Sequence, residues 1–285
     1  MIFDSYDRIV FYDGAMGTML QNSGLKAGER SDILNITNPD AVYNVHRMYV
    51  EAGSDIVCTN TFGANADTLQ KTGYSPEEII SAAVAVAKRA CGKTAKVALD
   101  IGPTGQMLKP LGELDLVRAY ELFCQQALAG EKAGADFAAI ETMSDLEEFK
   151  AALLAVKKNT ALPVLATMTF GKNGHTFTGC SAESFSETAK QLGADAVGLN
   201  CSYAPADMLE TASRIAKSTD LPLIVKLNAG LPDSNTGRYS VTPEEFARQM
   251  IPYAAIGAKL IGGCCGTTPE YIRQLRKALM LGETI

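Results

Sequence analysis

The 285-residue chain has only two histidines, His46 and His175, and no cluster of basic side chains. It also lacks any apolar run approaching the roughly 18–20 residues of a membrane-spanning helix. Each absence closes off a class of function. Neither histidine stands beside a cysteine motif or at the end of an apolar run, which argues against a Ser–His–Asp or Cys–His hydrolase. Twenty-six Lys and Arg against 32 Asp and Glu leave a net charge of −6. A mildly acidic chain without a basic patch is unsuited to a nucleic-acid backbone or an anionic membrane surface, so neither partner is expected. No Gly-x-Gly-x-x-Gly or Walker sequence points to a nucleotide. The N-terminus, Met1-Ile2-Phe3-Asp4-Ser5-Tyr6-Asp7-Arg8, carries acids where a signal peptide would have a basic and then an apolar stretch. Seven cysteines, an odd number, then read as reduced thiols in a cytoplasmic protein. Such thiols more often bind metal or react than form bridges.

What is present is a repeating alternation. Eight short apolar runs rich in β-branched residues, Ile9–Tyr12, Asp55–Cys58, Lys96–Leu99, Phe137–Ile140, Val164–Met168, Ala196–Leu199, Leu223–Val225 and Lys259–Ile261, are each followed by a helix-length segment. That is the pattern of parallel strands joined by crossover helices. Asn38-Pro39, Ser75-Pro76, Thr242-Pro243 and Thr268-Pro269 place a capping side chain before a proline suited to the first helical position. Ser75 to Glu78, Ser144 to Glu147 and Thr242 to Glu245 have capping-box spacing. Val42, Val45, Tyr49 and Ala52 define one buried helical face. Gly53, Gly134, Gly193 and Gly257 precede four of the runs, where glycine can end a helix in the left-handed conformation. Eight such units without a break in composition predict an α/β fold, a single (β/α)8 TIM barrel, rather than a doubly wound sheet with an added domain.

In a barrel of this kind chemistry sits at the C-terminal ends of the strands. The residues there are Asp13, Thr59-Asn60-Thr61, Asp100, Glu141, Thr167 and Thr169, Asn200-Cys201, Lys226 and Asn228, and Gly263-Cys264-Cys265. Adjacent Cys264 and Cys265, flanked by glycines and directly before a helix N-terminus, are suited to turn two thiolates toward one ion. Buried packing or a vicinal disulfide is the alternative. Cys201, at the end of the sixth run, supplies a third ligand; three protein ligands and one open position form a catalytic zinc arrangement. Three thiolates leave the ion electron-rich, which favours activating an incoming thiol over hydrolysis by bound water. Asn60, Thr61 and Asn200 either line the pocket or tie loops together, and Asp100 is expected to order the Gly102-Pro103 loop. Cys58, Cys91, Cys124 and Cys180 read as structural thiols, and the two histidines as surface or capping residues.

The motifs Asp13-Gly14-Ala15-Met16-Gly17-Thr18, Thr59-Asn60-Thr61-Phe62, Asp100-Ile101-Gly102-Pro103-Thr104-Gly105, Glu141-Thr142, Gly198-Leu199-Asn200-Cys201 and Gly262-Gly263-Cys264-Cys265-Gly266 occur in this order along the chain. In them the sequence resembles the homocysteine S-methyltransferase family, and its cobalamin-dependent branch more than the betaine-using one. The resemblance implies a homocysteine-binding barrel domain over residues 1–285 and a zinc-dependent transfer of a methyl group to homocysteine, giving methionine. It implies that Cys201, Cys264 and Cys265 hold one Zn2+ per chain, with homocysteine sulfur in the fourth place. Backbone N–H groups of Asp13-Gly14-Ala15-Met16 would receive the substrate carboxylate, unless this is a simple Asp-Gly turn. Glu141 would pair with the substrate ammonium, unless it forms an ion pair with another residue at the barrel mouth. Asn60, Thr61 and Asn200 complete the expected substrate-binding set. In the fused members of the family, cobalamin and folate modules follow the barrel, whereas this chain stops at Ile285. The expected donor is therefore methylcobalamin on a separate corrinoid methyl-carrier protein or on a missing module. A small sulfonium such as S-methylmethionine, and a non-catalytic zinc or corrinoid-partner domain, are the alternatives. Leu227 stands where the family usually has proline, which leaves Asn228 without an assigned role.

Overall fold

Each apolar run becomes a strand in the computed structural model, which describes residues 8–26, 28–233 and 236–281. The expectations placed on residues 1–7 and at Ile285 lie outside the described residues. The strands are β1 (Val10–Phe11), β2 (Ile56–Cys58), β3 (Lys96–Ile101), β4 (Phe137–Met143), β5 (Val164–Met168), β6 (Ala196–Asn200), β7 (Leu223–Leu227) and β8 (Ala258–Gly263). The helices are α1 (Met16–Asn22), α2 (Leu34–Thr37), α3 (Pro39–Ala52), α4 (Ala66–Leu69), α5 (Pro76–Cys91), α6 (Leu116–Ala133), α7 (Leu146–Asn159), α8 (Ala182–Gln191), α9 (Pro205–Ser218), α10 (Pro243–Ala255) and α11 (Pro269–Arg276), the last continued by a π-helical turn, Lys277–Leu281. All seven ladders are parallel, in the order β1-β8-β7-β6-β5-β4-β3-β2. The ring closes between β1 and β2 through the Tyr12–Ile56 bridge, with Asp55 N donating to Phe11 O at 2.7 Å and Asp13 N to Ile56 O at 3.0 Å. The fold is the expected single (β/α)8 barrel.

Side chains alternate with period two along each strand. Val10, Ile56, Ala98, Phe137, Leu165, Ala196, Ile224 and Leu260, one from each strand, form a buried cluster that fills the barrel. The residues between them, among them Phe11, Leu99, Ile140, Ala166, Val197, Val225 and Ile261, face outward into the layer shared with the helices. Continuing the inward alternation toward the C-terminal strand ends leads to Cys58, Asp100, Glu141, Thr167, Asn200 and Lys226, all buried. The apolar filling thus gives way to a polar floor.

The helix punctuation follows the sequence with three exceptions. Ser75 and Glu78 make the reciprocal capping box at α5, and Asn38 accepts from Ala41 N at α3. Thr242 accepts from Glu245 N, but the Glu245 carboxylate takes Gln249 Nε2 at 3.0 Å instead of returning to the cap. At α7 the cap is Asp145, not Ser144: its carboxylate accepts from Glu147 N at 2.9 Å and Glu148 N at 3.0 Å. Thr268 makes no side-chain capping bond. Gly53 and Gly134 end α3 and α6 in the left-handed conformation at φ 103° and 89°. His46 is not a surface residue: it is fully buried on α3, and neither ring nitrogen has a hydrogen-bond partner among the described residues.

Candidate active site

The C-terminal mouth of the barrel holds a cavity of about 380 Å³. Its wall includes Asp13–Thr18, Cys58–Phe62, Asp100, Glu141, Thr142, Cys201, Lys226 and Gly263–Cys265. Of the residues singled out from sequence, Asp13, Gly14, Ala15, Met16, Asn60, Thr61, Glu141 and the three cysteines line it together. Asn200 does not: it is fully buried behind the wall, where its Oδ1 accepts from Thr142 N at 2.7 Å and Thr167 Oγ1 at 2.8 Å. Asn60 and Thr61 line the cavity and also tie loops, Asn60 Nδ2 donating to Ser31 O at 2.6 Å and Thr61 Oγ1 to Asp100 O at 2.7 Å.

The thiols of Cys201, Cys264 and Cys265 lie within 4.8 Å of one another, the Cys201 and Cys265 sulfurs 3.4 Å apart. A tetrahedral zinc with Zn–S bonds of about 2.3 Å places its sulfurs roughly 3.8 Å apart, so the three donors fit that ion with small adjustments. The backbone is built for this convergence. Cys201 has a φ of 50° and Thr142 one of 61°, the left-handed region that ordinary residues avoid at a cost of about 1–3 kcal/mol each. Cys201 N donates to Lys226 O at 3.1 Å, Cys264 N to Leu227 O at 2.8 Å and Ala229 N to Cys265 O at 3.0 Å. The end of β7 therefore anchors all three ligands, and Leu227 pairs in the ladder with Gly263. Gly266 takes φ 80°, and a Cβ there would fall 2.2 Å from the Tyr239 ring, which explains why the cysteine pair is followed by glycine. Hydrogen bonds from Cys201 and Cys264 hold the Cys265 thiol below its ordinary value.

Below the thiols, Lys226 Nζ reaches Glu141 Oε2 at 2.5 Å and Cys58 Sγ at 3.4 Å, and lies 4.6 Å from the Tyr12 ring centroid. Burial works against this ammonium, but Cys58, Glu141 and Asp13 around it hold its pKa well above the usual lysine value. Burial raises Glu141, with Lys226 pulling the other way. Burial also pushes Asp13 up to about 7, against Lys226 and a 2.8 Å hydrogen bond donated by Cys58 N. Burial raises the Cys58 thiol well above its ordinary value. Asp100 does not order the Gly102-Pro103 loop with its carboxyl group: it borders the cavity, and its Oδ1 is buried without a partner among the described residues.

Lys226 as the partner of Glu141, the free Asp100 carboxyl and the position of Cys58 escaped the sequence reading, although an ion pair of Glu141 at the barrel mouth was one of its two alternatives. Strand-end position alone does not say which side chains point inward. The period-two register, counted on from the apolar filling, would have identified all three.

A family model of homocysteine S-methyltransferases matches residues 10–279. Methionine synthase from Mycobacterium leprae (strain TN) is 32% identical over 294 aligned positions, covering 95% of this chain and 24% of that protein. The methionine synthase of Mycobacterium tuberculosis (strain ATCC 25618 / H37Rv) is 33% identical, covering 95% and 25%. The chain thus spans about a quarter of the length of these curated relatives. Among solved structures, the metallated form of the homocysteine methyltransferase MmuM from Escherichia coli superposes with a TM-score of 0.83 over 96% of this chain and 97% of that one, at 23% identity, a likeness of fold. On the match along nearly its whole length, the chain belongs to the homocysteine S-methyltransferase family.

Proposed function

We propose that this barrel is the homocysteine-binding domain of a zinc-dependent homocysteine S-methyltransferase that forms methionine. The observation that carries the reading is the convergence of Cys201, Cys264 and Cys265 on one point of the cavity wall. Zinc held there would lower the pKa of the homocysteine thiol and present it as a nucleophile. The chain's own residues do the rest. Of the Asp13–Met16 backbone expected to receive the substrate carboxylate, Asp13 N is taken by Ile56 O at 3.0 Å and Ala15 N by Thr267 Oγ1 at 3.3 Å, so that role passes to the first turn of α1, which no side chain caps. Glu141, fixed by Lys226 through Oε2, keeps Oε1 for the ammonium. With both ends held, sulfur points outward at the donor, and orientation replaces a catalytic base. The thiol proton leaves on binding, the sulfur–methyl bond forms as the donor–methyl bond breaks, and no side chain need accept a proton in that step.

The preferred donor is a methylated corrinoid (cobalamin) protein. The likeness to methionine synthases, of which this chain spans a quarter, supports a barrel that receives its methyl group from another module or protein. X-ray absorption on the zinc-loaded protein tests the chemistry: three sulfur ligands should become four when homocysteine is added. Incubation with homocysteine and either methylcobalamin or S-methylmethionine tests the donor. Methionine formed from the sulfonium alone overturns the corrinoid assignment.

A further inference from the structure

Three carboxyl groups, Asp13, Asp100 and Glu141, meet at the cavity floor around a single buried cation, Lys226. Two of them are partnered. Asp13 Oδ2 accepts from Cys58 N at 2.8 Å, and Glu141 Oε2 takes Lys226 Nζ at 2.5 Å. Asp100 is 8% exposed, borders the cavity, and has its Oδ1 buried with no hydrogen-bond partner among the described residues. Its backbone is fully used, N donating to Thr59 Oγ1 at 3.0 Å and O accepting from Thr61 at 2.7 Å, so the side chain is aimed by β3 and not by its own bonds. A carboxyl group taken from water without a partner is costly, and such groups persist where a ligand uses them. Burial first, and then the charge of Glu141, hold Asp100 well above the usual carboxylate range, which is the state of a site short of one cation.

We propose that Asp100 is a substrate-binding residue that holds the ammonium of the amino-thiol together with Glu141, while Lys226 fixes Glu141 from its other side. This rests on the homocysteine reading and deepens it. Lys226 occupies one oxygen of Glu141, so Glu141 alone offers the ligand half of a neutralised pair. The second anionic contact then comes from Asp100, and the floor demands an amino group. A thiol carboxylate without one would leave Asp100 unpaired.

The experiment measures equilibrium binding of L-homocysteine and of 4-mercaptobutyrate, its deamino analogue, by calorimetry on the zinc-loaded chain and on Asp100→Asn. The amide keeps the shape and a hydrogen-bond donor but loses the charge. The expected result is a homocysteine affinity about 10- to 100-fold weaker in the variant, as for loss of a charged contact, with affinity for the deamino thiol changed by less than about twofold. The thermal midpoint of the ligand-free variant should equal or exceed that of the parent, because an unpartnered buried carboxyl has gone. Equal weakening of both thiols, unchanged homocysteine affinity, or a markedly lower midpoint overturns the assignment. Asp100→Ser, measured in the same way, serves if the asparagine variant is poorly soluble. A parent chain that binds homocysteine no better than its analogue also overturns it, whereas one that binds neither thiol overturns the homocysteine reading beneath it.

Discussion

A buried imidazole with no hydrogen-bond partner resists protonation, and His46 is such a group: burial lowers its pKa from an ordinary 6.5 to about 4. Below pH 6.5 the unfolded chain takes up a proton that the folded chain refuses until about pH 4. Stability is therefore lost as the pH falls through this window, by about 1.4 kcal/mol per unit. Asp13 runs the other way. Its pKa is raised from 3.8 to about 7, so the folded state holds a proton that the unfolded state has shed, and stability is lost as the pH rises through that range. The two opposing slopes overlap, and only the difference between parent and variant isolates the histidine. Denaturant unfolding of His46→Met should show the stability change between pH 6.5 and 5 altered by about 2 kcal/mol, in the sense of a less acid-sensitive protein. An identical pH dependence in the two proteins would refute this account of His46.

At the scale of elements, three strand entries share one device. Asp55, Asp136 and Asp195 each follow a glycine turn and accept a hydrogen bond from the backbone N–H of a neighbouring strand or its flank, Phe11 N at 2.9 Å, Val97 N at 2.8 Å and Val164 N at 2.8 Å. Each also meets a cation, Arg8, Lys88 and Lys157 respectively. The repeated Gly-x-Asp was visible in the sequence and its glycine was interpretable from the turn alone. The aspartate was not, because its partner lies on a neighbouring strand more than thirty residues away. The same limit explains the strand ends. The apolar runs located all eight strands, but β3, β4, β6, β7 and β8 continue through Ile101, Met143, Asn200, Leu227 and Gly263, past the ends of those runs, because ladder bonds and not composition set where a strand stops. Capping shows how local rules can slip by one residue: Ser144 has the box spacing, yet Asp145 takes the two N–H groups of α7. Asp145→Ala should cost about 1 kcal/mol in denaturant unfolding, while Ser144→Ala should stay within about 0.5 kcal/mol of the parent. The reverse order would mean that the helix starts one residue earlier in solution.

For the whole molecule, the weakest place in the ring is also part of the site. β1 and β2 do not form a full ladder. Among the described residues their seam has one bridge and two backbone bonds, reinforced by three side chains that cross it: Asp55 Oδ2 accepts from Phe11 N, Asp13 Oδ2 accepts from Cys58 N, and Ser54 Oγ donates to Tyr12 O at 3.3 Å. Asp13 is thus both a wall of the cavity and a clasp of the barrel, and whatever loosens the seam displaces it. The cysteine cluster is anchored elsewhere, on β6, β7 and β8, whose ladders are full at their C-terminal ends, the one register shift lying at Leu223/Ile224 at the far end of β7. Removing Asp55 should therefore separate the two functions of the mouth. Asp55→Ala leaves the Phe11 N–H without its side-chain acceptor and should destabilise the protein by about 1–3 kcal/mol, with a several-fold loss of homocysteine affinity and an undiminished zinc stoichiometry. Asp136→Ala and Asp195→Ala remove the same device from continuous ladders, so they should lower stability while leaving homocysteine affinity near that of the parent. Calorimetric titration together with metal analysis on the three variants distinguishes the cases. If all three lose affinity in proportion to stability, the seam has no special hold on the site. If only the Asp55 variant does, closure of the barrel and shape of the amino-acid pocket depend on the same few bonds.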